Sequence, residues 1–276
     1  MTDLAAAYAH CEAEVRRDDP DRWIASLYWP AAARPHAHAL LAFSLEIARV
    51  RETVSEPMPG EIRYQWWRDA IEARQSGGNP IAEALIDTIA RFNLDAERLL
   101  ALIEARSFDL YDDPMPSEDA LEGYLRDTSS VLFEAIARVL ARGRLAPPCV
   151  DEAGRAYALT GLLRALPWQV MRGQLFLPLD LLARIQLPPE EVLAHRNSPA
   201  LGLVLNALRA RVRNHLDAMT AGLPAAGPAA AACLPAFLCE PYLRRMEAPG
   251  LNPFETPIEL PRWRRQWVLW RAARGL

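Results

Sequence analysis

From residue 38 to residue 54 the chain reads HALLAFSLEIARVRETV, and its apolar positions return once per helical turn. Leu41, Leu45 and Ala48 align, while Leu40, Phe43 and Ile47 widen the same face. The pattern recurs along the chain. Ile62, Trp66, Ala70 and Ala73 line up within 61–78, where Gly77 and Gly78 should close the helix. Segment 79–93 opens with Asn79 as a cap and Pro80 as a first helical residue. Segment 95–113 opens with Asp95 and ends before Pro114. One long amphipathic helix capped by Ser117 is predicted over 117–143, and others over 149–171, 198–219 and 259–276. No stretch alternates apolar and polar residues between hairpin turns. The expected fold class is all-α.

The Ala- and Pro-rich stretch 221–257 is too apolar for a linker and is read as carrying a short helix. The whole chain, 1–276, is therefore expected to be a single domain. Its 276 residues are 51% hydrophobic, enough for one large core. A net charge of -4 provides no global basic field, so nucleic acid is not an expected partner. All 31 basic residues are arginine, which excludes lysine nucleophiles and Schiff-base chemistry. Cys11, Cys149, Cys233 and Cys239 form no CxxC pair and read as buried thiols in a reducing compartment. The first residues carry acids and no apolar run, and no eighteen-residue apolar stretch occurs. A soluble cytoplasmic protein is expected.

Three stretches in this order resemble the squalene/phytoene synthase family. They are SLYWPAAARPHAHALLAFSLEIARVRETVSE (26–56), RYQWWRDAI (63–71) and ALTGLLRALPWQVMRGQLFLP (158–178), with EGYLRDTSSVLF (122–133) adding a fourth. The resemblance is good from about residue 20 to 180 and weak beyond. It implies an isoprenoid synthase-type helical bundle around a central cavity, with two aspartate-rich helices facing across it. Carboxylates at i and i+4 share a helix face, and each pair can hold Mg²⁺ against a diphosphate. The apolar cavity below shelters a carbocation from water.

This chain departs from that pattern at both motifs. The first would occupy 48–52, where Ala48, Arg49, Val50, Arg51 and Glu52 stand. The second would occupy 165–169, where Ala165, Leu166, Pro167, Trp168 and Gln169 stand. One acid survives of the set, two positive charges have entered, and Pro167 should break the helix ladder at a cost of about 3 kcal/mol. No catalytic residue and no metal site are therefore expected; Ala48, Glu52, Ala165 and Gln169 are degenerate motif positions. No cofactor is expected either, Mg²⁺ being needed only by a divergent prenyl transferase. AFSLEIARVRETVSE and MRGQLFLPLDLL resemble the branch of the family whose mitochondrial members assist assembly of respiratory complex I. The resemblance implies complex I subunits or other assembly factors as partners, an isoprenoid or lipid ligand, and ligand-facing positions at Tyr28, Phe43, Tyr124 and Trp168.

Four arginines bear on the same site. If the helices keep the family arrangement, Arg49, Arg51, Arg164 and Arg172 would ring the cavity mouth, where guanidinium forks bind phosphate without metal. Pairing with surface acids is the plainer expectation. Glu52 and Glu56, four apart, offer either a substitute metal face or a solvated helix end, and Pro57 favours the latter. DLYDD (109–113) reads as a polar helix terminus. His36 and His38, two apart, should diverge on a helix. Trp263, Trp267 and Trp270 form one stripe among arginines. Core packing with a basic outer face is expected there, a membrane or partner surface being the other reading. Three functions follow: a non-catalytic assembly or isoprenoid-binding factor, a prenyl transferase using Glu52, Glu56 and the arginines, or a helical interaction module with a filled interior.

Overall fold

A computed structural model describes residues 3–54 and 56–276, and no strand occurs among them. Fourteen α-helices are found in the described chain. They are α1 (Leu4–Asp18), α2 (Pro20–Ser26), α3 (Arg34–Thr53), α4 (Pro57–Ala73), α5 (Pro80–Phe92), α6 (Ala96–Ser107), α7 (Glu118–Leu125), α8 (Val131–Leu140), α9 (Pro148–Met171), α10 (Leu179–Ile185), α11 (Pro189–Leu193), α12 (Pro199–Gly222), α13 (Cys239–Met246) and α14 (Arg262–Ala273). Asn79 accepts from the amides of Ile81 and Ala82, and Ser117 and Ser198 each accept from an amide three residues on. Pro20, Pro57, Pro80, Pro148 and Pro199 stand in first turns, where a missing N–H costs nothing.

Several boundaries differ from the sequence expectation. Helix α4 stops at Ala73, four residues before the glycines, because Arg74 takes a left-handed conformation with φ of 54°. The long helix expected over 117–143 is α7 and α8 joined through a π turn, Arg126–Ser130. Pro167 does not end α9, which continues to Met171. Leu163, Leu166 and Val170 are buried around it, and that packing outweighs the lost backbone bond. Residues 227–238 form a 3₁₀ stretch leading into α13. All four cysteines are buried and unpaired.

Helix α3 runs through the core, with His36 to Phe43 and then Ile47 and Val50 buried. His36 meets Tyr8 and Thr88, and His38 meets Ser26, so the two imidazoles do diverge. The long α9 packs against α12 and against the π turn. The contact with the π turn is very close: a Cβ on Gly154 would meet the Ser130 Cα at 2.5 Å. Ser129 and Ser130 donate to the carbonyls of Gly154 and Asp151 across that contact, fixing α7–α8 to α9. Between α3 and α9 the structure leaves an opening.

Candidate functional site

The opening is a cavity of about 580 Å³. Small residues at helical spacing produce it. Ser44 and Ala48 on α3 face Ala158, Gly161 and Ala165 on α9, and none fills the gap between the helices. Phe176, Tyr124 and Phe108 form an aromatic cluster with centroids 5.4–6.0 Å apart, and Phe176 and Tyr124 line the cavity. Phe176 is brought there by backbone pairing: the Met115 amide donates to the Leu175 carbonyl, and the Leu179 amide to the Met115 carbonyl. An opening of this size argues against a completely filled interior.

The cavity wall holds a buried polar hub. Tyr124 Oη donates to Asp109 Oδ1 at 2.7 Å, and Arg106 Nη1 donates to Asp109 Oδ2 at 2.9 Å and to Tyr124 Oη at 2.8 Å. Gln174 Nε2 donates to the Asp109 carbonyl at 2.9 Å. Burial pushes the Tyr124 phenol well above its ordinary pKa, so it stays a donor at neutral pH. Arg22, also in the wall, is paired with Asp19 and lies over the Tyr157 ring at 5.5 Å. DLYDD does form the polar end of α6, with Asp112 and Asp113 exposed, but Asp109 within it is buried in the cavity wall. Arg106 and Tyr124 supply the partners that permit this burial.

All four degenerate motif positions, Ala48, Glu52, Ala165 and Gln169, line the cavity. Of the eight positions expected to face a ligand, Arg51, Tyr124, Trp168 and Arg172 line the cavity. The other four lie elsewhere. Phe43 is sealed in the core edge-to-face with Trp67, because its position on α3 points away from α9. Tyr28 is partly exposed beyond α2. Arg49 pairs with Glu14, Asp18 and Glu46 on the outer side of α3. Arg164 stacks 3.8 Å from the Tyr242 ring centroid and donates to the Ile258 carbonyl. Residues 164 and 165 are 100° apart on a helix, so Arg164 cannot face the cavity with Ala165. Sequence reading missed Arg22, Arg106, Asp109, Tyr157, Gln174 and Phe176; only the Arg106–Asp109 spacing of three was there to be noticed.

At the mouth, Arg172 Nη1 lies 3.6 Å from Glu52 Oε1, joining the last turns of α9 and α3. Arg51 is held by Asp112 at 3.0 Å. Glu56 is the N-cap of α4 while α3 ends at Thr53, so Glu52 and Glu56 share no helix face. Among the described residues, no three His, Cys, Asp or Glu side chains come together as a metal site. Mg²⁺ needs near-octahedral oxygen donors. One carboxylate already beside a guanidinium, facing methyl and amide groups, does not fit the ion that the family's aspartates hold.

The squalene/phytoene synthase family model matches residues 15–271. A Rattus norvegicus protein described as NADH dehydrogenase (ubiquinone) complex I, assembly factor 6 is 29% identical over 92% of this chain and 78% of its own length. Phytoene synthase of Thermus thermophilus is 26% identical over 91% of this chain and 86% of its own length. The crystal structure of a dehydrosqualene synthase superposes with a TM-score of 0.84 at 15% identity, covering 99% of this chain and 97% of that one. That likeness shows the isoprenoid synthase-type helical fold.

Proposed function

The chain belongs to the squalene/phytoene synthase family, and from that premise we propose that it is a non-catalytic member serving assembly of NADH:quinone oxidoreductase. In this reading it holds an isoprenoid or lipid tail in the cavity between α3 and α9, needs no Mg²⁺, and touches the inner membrane face through its C-terminal Trp/Arg helix. Its partners would be subunits of that complex or other assembly factors.

One observation carries the reading: where a diphosphate-activating enzyme of this fold needs opposed carboxylates, this chain has Ala165, Gln169 and a Glu52 beside Arg172. A leaving diphosphate carries negative charge that must be neutralised as it departs. Without metal the arginines could bind it, but each cavity arginine already faces a carboxylate within 3.6 Å. The assembly-factor relatives support the cellular half of the proposal.

Purified protein incubated with geranylgeranyl diphosphate and Mg²⁺ should release no pyrophosphate. Robust turnover that is lost in Glu52→Gln would replace this reading with a divergent prenyl transferase. In cells, deletion of the gene should reduce assembled NADH:quinone oxidoreductase, measured as NADH-driven quinone reduction; a normal level of complex would end the assembly reading. Solvent extraction of native protein should recover an isoprenoid or lipid in near-stoichiometric amount.

A further inference from the structure

Helix α14 presents the reverse of the expected orientation. Its inward side is Arg265, Val268, Leu269 and Ala272, and the tryptophan stripe points out. Trp263, Trp267 and Trp270 are 69%, 51% and 45% exposed. The cause lies in register. Arg265 donates to the buried carboxylate of Asp21 at 2.6 Å, and Leu269, one turn on, is fully buried. Fixing that face turns the residues at 263, 267 and 270 to the opposite side.

Residues 262–274 hold five arginines and no acid in a chain of net charge -4. Arg265 is committed to Asp21; Arg262, Arg264, Arg271 and Arg274 form no ion pair with any described residue. Arg271 and Arg274 lie 5.6 Å and 5.0 Å from the ring centroids of Trp267 and Trp270. The exposed acid Glu259 precedes the helix. Beside α14 runs a recess of about 830 Å³, floored by Leu223, Phe237 and Val268 and edged by Arg264 and Arg271. Glu240 also borders it but is bound by Arg213 and Arg244.

We propose that this face docks on an anionic lipid bilayer, α14 lying in the interface with its tryptophans at headgroup depth and its arginines on lipid phosphates. Charge complementarity selects this occupant. Indole rings suit the boundary between acyl chains and headgroups, and unpaired arginines add attraction to anionic lipid. A twelve-residue helix is about 18 Å long and lies on a membrane rather than across it. This deepens the membrane part of the proposed function and does not depend on what occupies the cavity.

The test is co-sedimentation of the full chain with vesicles of phosphatidylcholine alone or of an equimolar mixture with phosphatidylglycerol. Binding is expected to the mixture, to fall steeply with added salt, and to be at least about tenfold weaker to phosphatidylcholine. Replacing Arg262, Arg271 and Arg274 by glutamine should weaken it roughly 100-fold. Replacing the three tryptophans by alanine should abolish the remainder while far-ultraviolet circular dichroism shows the helical fold retained, and the single change Trp263→Ala, at the most exposed of the three, should weaken binding with the melting midpoint scarcely moved. Equal binding to both vesicles, no binding, or binding indifferent to the tryptophans would overturn the proposal. So would a dimer that the tryptophan variant dissociates, which assigns the face to a second copy. A deletion strain that loses the respiratory complex while pure protein ignores vesicles would sink this surface and leave the assembly role standing.

Discussion

Two buried aspartates in this molecule are held by the same kinds of groups and do different work. Asp109 accepts from Tyr124 Oη and Arg106 Nη1 at 2.7 and 2.9 Å; Asp21 accepts from Tyr242 Oη and Arg265 Nη1, both at 2.6 Å. The difference is where the partners come from. Those of Asp109 lie three and fifteen residues away and leave one side open to the cavity. Those of Asp21 lie 221 and 244 residues away, with Arg164 at 3.7 Å as a third, so a single carboxylate ties α2 to α9, α13 and α14. The same side-chain trio is a tie when its members are remote and a wall when they are local.

Asp21→Ala should have the largest effect. It strands two arginines and a phenol, and breaking such a buried pair costs about 3–5 kcal/mol, read by urea denaturation. Asp109→Asn should cost less, about 1–3 kcal/mol, because the cavity admits water to the stranded Arg106. Equal losses would mean that the hubs do not differ as their topology implies.

A pH titration sharpens the contrast through a third cluster. His215 on α12 meets Glu152 on α9 at 2.6 Å and Glu122 on α7 at 3.3 Å. Burial favours the neutral ring, but the bonds to both glutamates outweigh it and hold the His215 pKa above its ordinary value. This contribution is complete below about pH 6.5, the unfolded value, and is lost as pH rises through the folded pKa. Burial works to raise the Glu122 pKa, yet His215, Arg155 and Arg211 pull it down to about 2, so its contribution holds above about pH 4.5 and fades as pH falls toward 2. The α9–α12 seam should therefore be tightest between these limits. Hydrogen exchange at pH 8 against pH 6 should loosen that seam and leave the Asp21 tie protected. The smallest effect belongs to Arg172→Gln. With both partners about half exposed, the pair with Glu52 is worth under about 1 kcal/mol, and the melting midpoint should scarcely move.

The helices and the cavity's two long walls were legible in the sequence. Caps such as Asn79 and Ser117, first-turn prolines and one-turn apolar spacing all act within a few residues. The degenerate positions came from the family resemblance instead, and Ala48, Glu52, Ala165 and Gln169 do line the cavity from α3 and α9. What escaped was tertiary. Arg164 and Arg172 look alike in sequence, but eight residues on a helix separate them by about 80° and send one to Tyr242. Periodicity detects a stripe at 263, 267 and 270 without saying which way it turns; only the remote Asp21 decides that. Asp109 was hidden similarly, its burial depending on Tyr124 and Gln174 from later segments.

Gly154 sets how firmly one wall of the cavity is seated. Only a hydrogen separates α9 from the Ser130 backbone there, so α9 is seated at hard contact against the π turn just before its cavity-lining turns begin. The opposite wall, the final turn of α3, is fastened at the mouth by two part-exposed charge contacts, Glu52 to Arg172 and Arg51 to Asp112. A cross-link pinning residue 52 to residue 172 would replace the weaker of these two fastenings with a covalent one and fix the width of the mouth.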